Sequence, residues 1–85
     1  MSPKTIILYT SPQCRYCDDV DVFLDAFFLK RKNPHNIITK DISNERNYKS
    51  LAAKLGGQIG VPALDTGGTL LIGSDNIIEW FKKNT

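Results

Sequence analysis

Two short strand-like runs flank one long helical pattern in the first half of the chain, and this order constrains the fold most strongly. Thr5–Thr10 is nearly all apolar or β-branched, as expected for a strand buried on both faces. Apolar residues recur at helical spacing over Arg15–Lys32, and a second strand-like run covers Ile37–Ile42. Because a helix intervenes, the two strands are expected to pair in parallel through a right-handed crossover.

The basic run 30–32 is expected to close this first helix, because a helix C-terminus favours cations. A second helix is predicted after the second strand. Ser43 or Asn44 can cap its start, and the glycine pair at 56–57 stops it.

A hairpin and a third helix complete the predicted order. Short strands at Ala63–Asp65 and Thr69–Ile72 are separated by a glycine-rich turn, which predicts antiparallel pairing. Ser74 or Asp75 is expected to cap the last helix. The order β-α-β-α-β-β-α in 85 residues predicts one α/β domain over residues 1–85, in which helices cover both faces of a four-stranded mixed sheet.

Composition excludes several classes of function. The formal net charge is only +2, so no nucleic-acid partner is expected. No apolar run approaches the length of a signal sequence core or a membrane span, which predicts a cytoplasmic protein with no membrane partner. No interface pattern stands out, and we expect a monomer. His35 is the only histidine and is interpreted as a loop residue, so no metal site within one chain is expected.

The only two cysteines, Cys14 and Cys17, form a C-x-x-C between the first strand and the first helix. Cys17 continues the apolar stripe of the helix and should face the core, whereas Cys14 lies at the helix mouth, where unpaired N–H groups and the helix dipole favour a thiolate. Cys14 is therefore the predicted nucleophile and Cys17 the resolving thiol. A structural disulfide, a metal-sharing dimer and a redox-sensing binding module without enzymatic activity are the alternatives.

Three segments in this order carry a resemblance to a known family. The segment "YTSPQCRYC" is followed by "GGQIGVPAL" and then by "IGSDN". Together they resemble the active-site segment, the cis-proline loop and the γ-glutamyl contact loop of glutaredoxins. The resemblance covers nearly the whole chain and implies the glutaredoxin branch of the thioredoxin fold.

The resemblance also implies roles for individual residues. The bond between Val61 and Pro62 would be cis and face the cysteines, leaving the backbone of Val61 free to pair with a peptide or with glutathione. Ser74 and Asp75 would hold the γ-glutamyl end of glutathione, and Gln58 would add a polar contact. Glutathione would be a co-substrate, with no bound cofactor.

The chain departs from the family pattern near the cysteines. Arg15 and Tyr16 are the predicted active-site neighbours of the two cysteines, and Arg15 replaces a common proline. Ser11 replaces a lysine, and Gly60 replaces a threonine. These departures weaken specificity for glutathione without affecting exchange chemistry.

The first hypothesis for function is a disulfide oxidoreductase that reduces protein disulfides or glutathione mixed disulfides and is recharged by glutathione and glutathione reductase. The alternative is a glutaredoxin-shaped electron donor to ribonucleotide reductase, recharged by thioredoxin reductase.

Overall fold

The computed structural model describes residues 4–57 and 59–84. Its elements are β1 (Thr5–Thr10), α1 (Arg15–Phe27), β2 (Asn36–Asp41), α2 (Glu45–Leu55), β3 (Ala63–Asp65), β4 (Leu70–Ile72) and α3 (Ser74–Lys83). They form one four-stranded sheet in the order β2-β1-β3-β4. The predicted order of elements is confirmed.

The sheet is mixed, as predicted. β1 and β2 are parallel, with Thr5 opposite Asn36. β1 and β3 are antiparallel with Tyr9 opposite Ala63, and β3 and β4 are antiparallel with Ala63 opposite Ile72. β4 thus runs in the same direction as β1 and β2. Since α1, α2 and α3 each follow one of these three strands, all three helices begin at the same edge of the sheet. This is the edge formed by the carboxyl ends of the three strands.

The core consists of two apolar clusters, because alternate residues of β1 face opposite sides of the sheet. One cluster joins α1 and α3 to the sheet and contains the buried residues Ile6, Leu8, Val20, Leu64, Ile77 and Phe81. The other lies under α2 and contains Tyr9, Leu51 and Ala63. Helices therefore cover both faces, in agreement with the predicted architecture.

Helix α1 ends at Phe27 and not at Lys32, so this predicted boundary is wrong. A strand of six residues spans about 20 Å, and a helix of 13 residues also spans about 20 Å. Five more residues would carry the helix about 7 Å beyond the sheet edge. The N–H of Leu29 instead donates to the carbonyl of Ala26, which tightens the last turn. The basic run 30–32 therefore lies in the following turn, and α1 has no basic residue in its last turn.

The other boundaries differ from the predictions by one residue. β2 begins at Asn36 because its N–H donates to the carbonyl of Lys4 at 2.8 Å, which extends the ladder toward the chain start. β4 begins at Leu70. Asn44 is the cap of α2, since its side chain accepts hydrogen bonds from the N–H groups of residues 46 and 47.

His35 precedes β2 in a loop but is buried, with 7% of its surface exposed. Its Nε2–H donates to the carbonyl of Asn84 at the end of α3 (3.0 Å), and its ring centroid lies 5.0 Å from that of Trp80. The side chain thus satisfies a terminal carbonyl of α3 and ties this helix to the start of β2. Sequence reasoning missed this structural role because it depends on a contact 49 residues away.

A polar network joins α2 to the sheet through Lys54. Its Nζ donates to the Tyr9 hydroxyl at 2.8 Å and to Asp65 Oδ2 at 2.6 Å. The hydrogen bond from Lys54, with a further bond from the N–H of Gly67, holds the pKa of the Asp65 carboxyl below its usual value. Burial by itself would raise the pKa of the Tyr9 hydroxyl, but hydrogen bonds with Lys54 and Ser50 lower it overall.

We expect Asp65→Asn to lower the free energy of unfolding by about 1 kcal/mol at neutral pH. The stabilisation from a carboxyl with a lowered pKa is present above its unfolded pKa, about 3.9, and is lost as the pH falls through its folded pKa. The difference between wild type and variant should therefore shrink below about pH 4. Urea unfolding over a pH series measures it.

The matched control is Glu45→Gln, which removes the more exposed pair between Glu45 and Lys49. Its effect should stay below about 0.5 kcal/mol. Equal losses in the two variants would contradict the role assigned to Asp65.

Candidate active site

The cysteine pair lies where the chain leaves β1 and enters α1. The N–H of Cys14 donates to the carbonyl of Ser11 at 3.2 Å, which closes the turn between the two elements. Cys14 is the N-cap residue of α1, and its Sγ accepts a hydrogen bond from the N–H of Cys17 at 3.1 Å. The predicted position of the pair at the helix mouth is confirmed.

Cys14 and Cys17 are joined in a disulfide, and their Cα atoms are 5.2 Å apart. Their environments differ. Cys17 is 2% exposed and belongs to the buried face of α1, whereas Cys14 is only partly buried. Cys14 is thus the more exposed residue of the pair and Cys17 is sheltered, as the helical stripe predicted.

The proline loop lies at the same edge of the sheet as this pair. The Val61–Pro62 peptide bond is cis, as the resemblance implied. Pro62 is buried and directly precedes Ala63, which pairs with Tyr9 next to the end of β1. The carbonyl of Pro62 accepts a hydrogen bond from the N–H of Gly73 at 2.9 Å, which ties the loop to the start of α3. The β1–β3 pairing thus brings the loop to the sheet edge where α1 begins.

An open cleft of about 340 Å³ joins all three predicted segments. Its lining comprises Tyr16 from the cysteine segment, Val61 and Pro62 from the proline loop, and residues 73–76 from the start of α3. Tyr16 is 61% exposed and forms an aromatic wall. Neither cysteine lines the cleft, but Tyr16 lies between them in the sequence, so the cleft is next to the C-x-x-C and combines apolar with polar side chains.

The start of α3 differs from the prediction, which gave its cap to Ser74 or Asp75. The N-cap is Gly73, whose φ of 95° lies in the left-handed region that favours glycine. Ser74 and Asp75 instead occupy the first turn of the helix, where Ser74 is buried and Asp75 exposed. Both still line the cleft.

Asn76 was missed as a cleft residue. Its side-chain amide donates to the carbonyl of Ile72 at 2.8 Å, which holds it against the end of β4. The motif "IGSDN" contained this residue, but only the contact with β4 reveals its position. Gln58 lies outside the described residues, so its predicted role is not addressed. Arg15 is exposed on the first turn of α1.

The electrostatics at this edge follow from the helix directions. All three helix N-termini lie at the edge that carries Cys14, and each contributes partial positive charge from its helix dipole. For Cys14 this effect is direct, because its sulfur accepts from the first turn of α1. The same N–H and dipole would stabilise a Cys14 thiolate after reduction of the disulfide.

Across residues 4–57 and 59–84 there is no cluster of three or more histidine, cysteine, aspartate or glutamate side chains arranged to bind a metal. Among the helices within those ranges, none has the length and apolarity needed to cross a membrane.

Residues 8–85 match the family model described as the glutathione S-transferase, N-terminal domain. The chain belongs to this family. Members of this family share the thioredoxin-like fold. The predicted thioredoxin-like fold class is thereby confirmed. A search of curated protein sequences finds no significant match.

Solved structures resemble this chain over nearly its whole length. Glutaredoxin from Brucella melitensis is 18% identical, with a TM-score of 0.63 over 99% of this chain and 85% of that one. A structure described as a malarial protein is 18% identical, with a TM-score of 0.57 over 96% and 97% of the two chains. Thioredoxin-2, described as a component of the malaria parasite protein secretion machinery, is 18% identical, with a TM-score of 0.57 over 94% and 82%. These likenesses support the fold.

The geometry predicts unequal reactivity of the two thiols once the disulfide is reduced. At about pH 6.5, Cys14 should react with iodoacetamide about tenfold faster than Cys17, because its thiolate is stabilised and accessible. Mass spectrometry of the alkylated peptides over time measures the ratio.

The control is the same reaction in denaturant, where the two rates should converge because the helix and the burial are lost. Faster labelling of Cys17 in the folded protein would contradict the assigned roles.

Proposed function

We propose that this domain is a thiol–disulfide oxidoreductase that reduces protein disulfides and glutathione mixed disulfides. The observation that carries the proposal is the pairing of a partly exposed Cys14 at the N-terminus of α1 with a Cys17 that is 2% exposed, beside a cleft that contains the cis Pro62. A purely structural disulfide would not need one partly exposed cysteine next to such a cleft.

The reaction begins with the reduced pair. The thiolate of Cys14 attacks one sulfur of the substrate disulfide, forms a mixed disulfide and releases the other sulfur as a thiolate. Cys17, deprotonated, then attacks the Cys14 sulfur and releases the second substrate thiolate. Two electrons pass to the substrate, and the Cys14–Cys17 disulfide remains. The short separation of the pair, 5.2 Å between Cα atoms, favours this second step.

The cleft supports a role in positioning the substrate. An extended segment that enters it would pass Tyr16 and could pair with the backbone of Val61, while the first turn of α3 offers N–H groups to a carboxylate. Val61, Ser74 and Asp75 keep their predicted binding roles within this proposal.

Glutathione, recharged by glutathione reductase, is the proposed reductant. Support comes from the family match and from the structural likeness to a glutaredoxin. The alternative is recharging by thioredoxin reductase, with ribonucleotide reductase among the disulfide substrates, and the comparable likeness to a thioredoxin favours testing it. We further propose a cytoplasmic, monomeric protein with no bound cofactor.

The test is turnover of a glutathione mixed disulfide, coupled in parallel to glutathione with glutathione reductase and to thioredoxin reductase. Activity with the first system is expected. Turnover with thioredoxin reductase alone would contradict the glutathione-dependent form of the proposal.

The two cysteine variants serve as matched controls for each other. Cys14→Ser should reduce turnover to background with every substrate, because no nucleophile remains. Cys17→Ser should abolish reduction of protein disulfides but spare removal of glutathione, because free glutathione can resolve that intermediate. Activity that survives Cys14→Ser would refute the assigned nucleophile.

A further inference from the structure

An apolar groove lies at the C-terminal end of α1, apart from the cleft beside Pro62. Its volume is about 430 Å³, and four apolar residues and two cations line it: Phe23, Ala26, Phe27, Leu29, Lys30 and Arg31. Phe23 and Phe27 are half-buried, and their rings stack with centroids 4.9 Å apart. The groove therefore has a preformed aromatic floor.

The apolar surface extends past the groove itself. Leu29, which lines the groove, is 79% exposed. Val22, one turn before Ala26 on the same helix, is 68% exposed. Single exposed apolar residues are ordinary on protein surfaces, but several that adjoin one groove are typical of an interaction site.

Cations surround the aromatic floor. The guanidinium carbon of Arg31 lies 4.3 Å from the centroid of the Phe27 ring. The Nζ of Lys82, which belongs to α3, lies 5.9 Å from the centroid of the Phe23 ring. Lys30 lines the groove as well. Three positive charges from two helices therefore meet at one apolar surface.

These cations have no carboxylate partner in the part of the chain that the structure describes. The three ion pairs there use Lys49, Lys54 and Lys83. Glu79, three residues before Lys82 on α3, is engaged with Lys83 at 3.2 Å. The positive charge of the groove is therefore available to a partner.

The nearby carboxylates of α1 are outside the lining of this groove. Asp21 and Asp25 line a separate groove that also contains β2 residues, and Asp19 lies one turn before Phe23 in the direction of Cys14. The groove therefore combines an apolar floor with a positive rim. A complementary surface carries carboxylates on either side of apolar side chains.

A second copy of this chain does not fit the groove. In a twofold contact the same patch of both copies meets itself. The cations Lys30, Arg31 and Lys82 of each copy would then face those of the other, and juxtaposed like charges are unfavourable.

A bilayer surface fits less well than a protein. Arg31 and Lys82 lie over the ring faces of Phe27 and Phe23, so insertion of these rings into the acyl layer would carry the charges with them, which is costly. A groove instead accepts side chains that project from a partner, between the charges.

We propose that this groove binds an acidic amphipathic helix of a partner protein. Apolar side chains at helical spacing on the partner lie over Phe23 and Phe27, and its flanking carboxylates pair with the three cations. Phe27 is about 20 Å along α1 from Cys14, so the bound partner leaves the C-x-x-C open. The groove thus attaches the domain to a partner without use of its reactive cysteines.

The test uses the whole chain in its oxidised form and a fluorescein-labelled peptide of about 18 residues, long enough to form a helix. The peptide carries leucines at helical spacing, with glutamates on both sides of the leucine stripe. A second peptide keeps the leucines and has lysines in place of the glutamates. Fluorescence anisotropy gives the dissociation constants, and the glutamate peptide should bind at least about tenfold more tightly.

Two sets of variants separate the charge of the groove from its apolar surface. Lys30→Gln with Arg31→Gln should weaken binding of the glutamate peptide about fivefold, because two ion pairs are lost. Leu29→Ser should weaken it by a similar factor, because apolar contact is lost. All three residues are exposed and follow the end of α1, so the fold should be retained, and urea unfolding checks this.

The matched control is Arg46→Gln with Lys49→Gln. It removes the same formal charge from α2, which covers the other face of the sheet. Binding of the glutamate peptide should change less than about twofold. An equal loss in the control would overturn the assignment to the groove, because net charge alone would then explain the affinity.

Amide chemical shifts give the position of the bound peptide. Titration with the glutamate peptide should shift the amide signals of residues 22–31 and of Lys82, and leave those of residues 14–17 and 73–76 unchanged. Shifts confined to the cleft beside Pro62 would overturn the proposed position.

The remaining outcomes also overturn the proposal. Equal affinity for the two peptides contradicts the acidic partner. Binding to vesicles of phosphatidylcholine with phosphatidylserine, lost in Leu29→Ser and without any binding of the glutamate peptide, assigns the surface to a membrane. Because the groove contains no residue of the C-x-x-C, these outcomes leave the proposed oxidoreductase function unaffected.

Discussion

The parallel pairing of β1 and β2 is the constraint on which the rest of the structure depends. Parallel strands require the chain to return along the full length of the sheet, and α1 makes this return. The helix must therefore start at the edge where β1 ends. β4 runs in the same direction, so α3 starts at that edge as well. The convergence of helix N-termini, and with it the electrostatics of the site, follows from the directions of the strands.

One turn of α1 is sufficient to make two chemically different sulfurs. Cys17 lies on the face that packs against the sheet and is sheltered, whereas Cys14 caps the helix, is only partly buried and accepts a hydrogen bond from an N–H of the first turn. The cleft requires more than this turn. It depends on the antiparallel register of β1 with β3, which brings Pro62 to the end of β1, and on the hydrogen bond from Gly73 to Pro62 that joins the α3 start to the loop.

The sequence pattern predicted those structural features that depend on residues close together in the chain. The strand at Thr5–Thr10 and the inward face of Cys17 are read from short periodicities, and both are confirmed. The predicted end of α1, Lys32, lies beyond the observed end, Phe27, because the helix stops where β1 and β2 end. The apolar spacing in the sequence continues to Phe28 and did not show this limit. The cap of α3 was assigned to the wrong residue because the chain needs a left-handed turn at Gly73 to leave β4.

The amino-acid sequence by itself determined the order of elements, the position of the C-x-x-C at a helix start and the different surroundings of its two thiols. These depend on interactions within a few residues, which periodicity and capping chemistry express directly. Only the tertiary structure decided that Tyr16, Pro62 and Asn76 share one cleft and that His35 is buried against α3. Those features depend on strand register and helix length, which bring together residues that are distant in the chain.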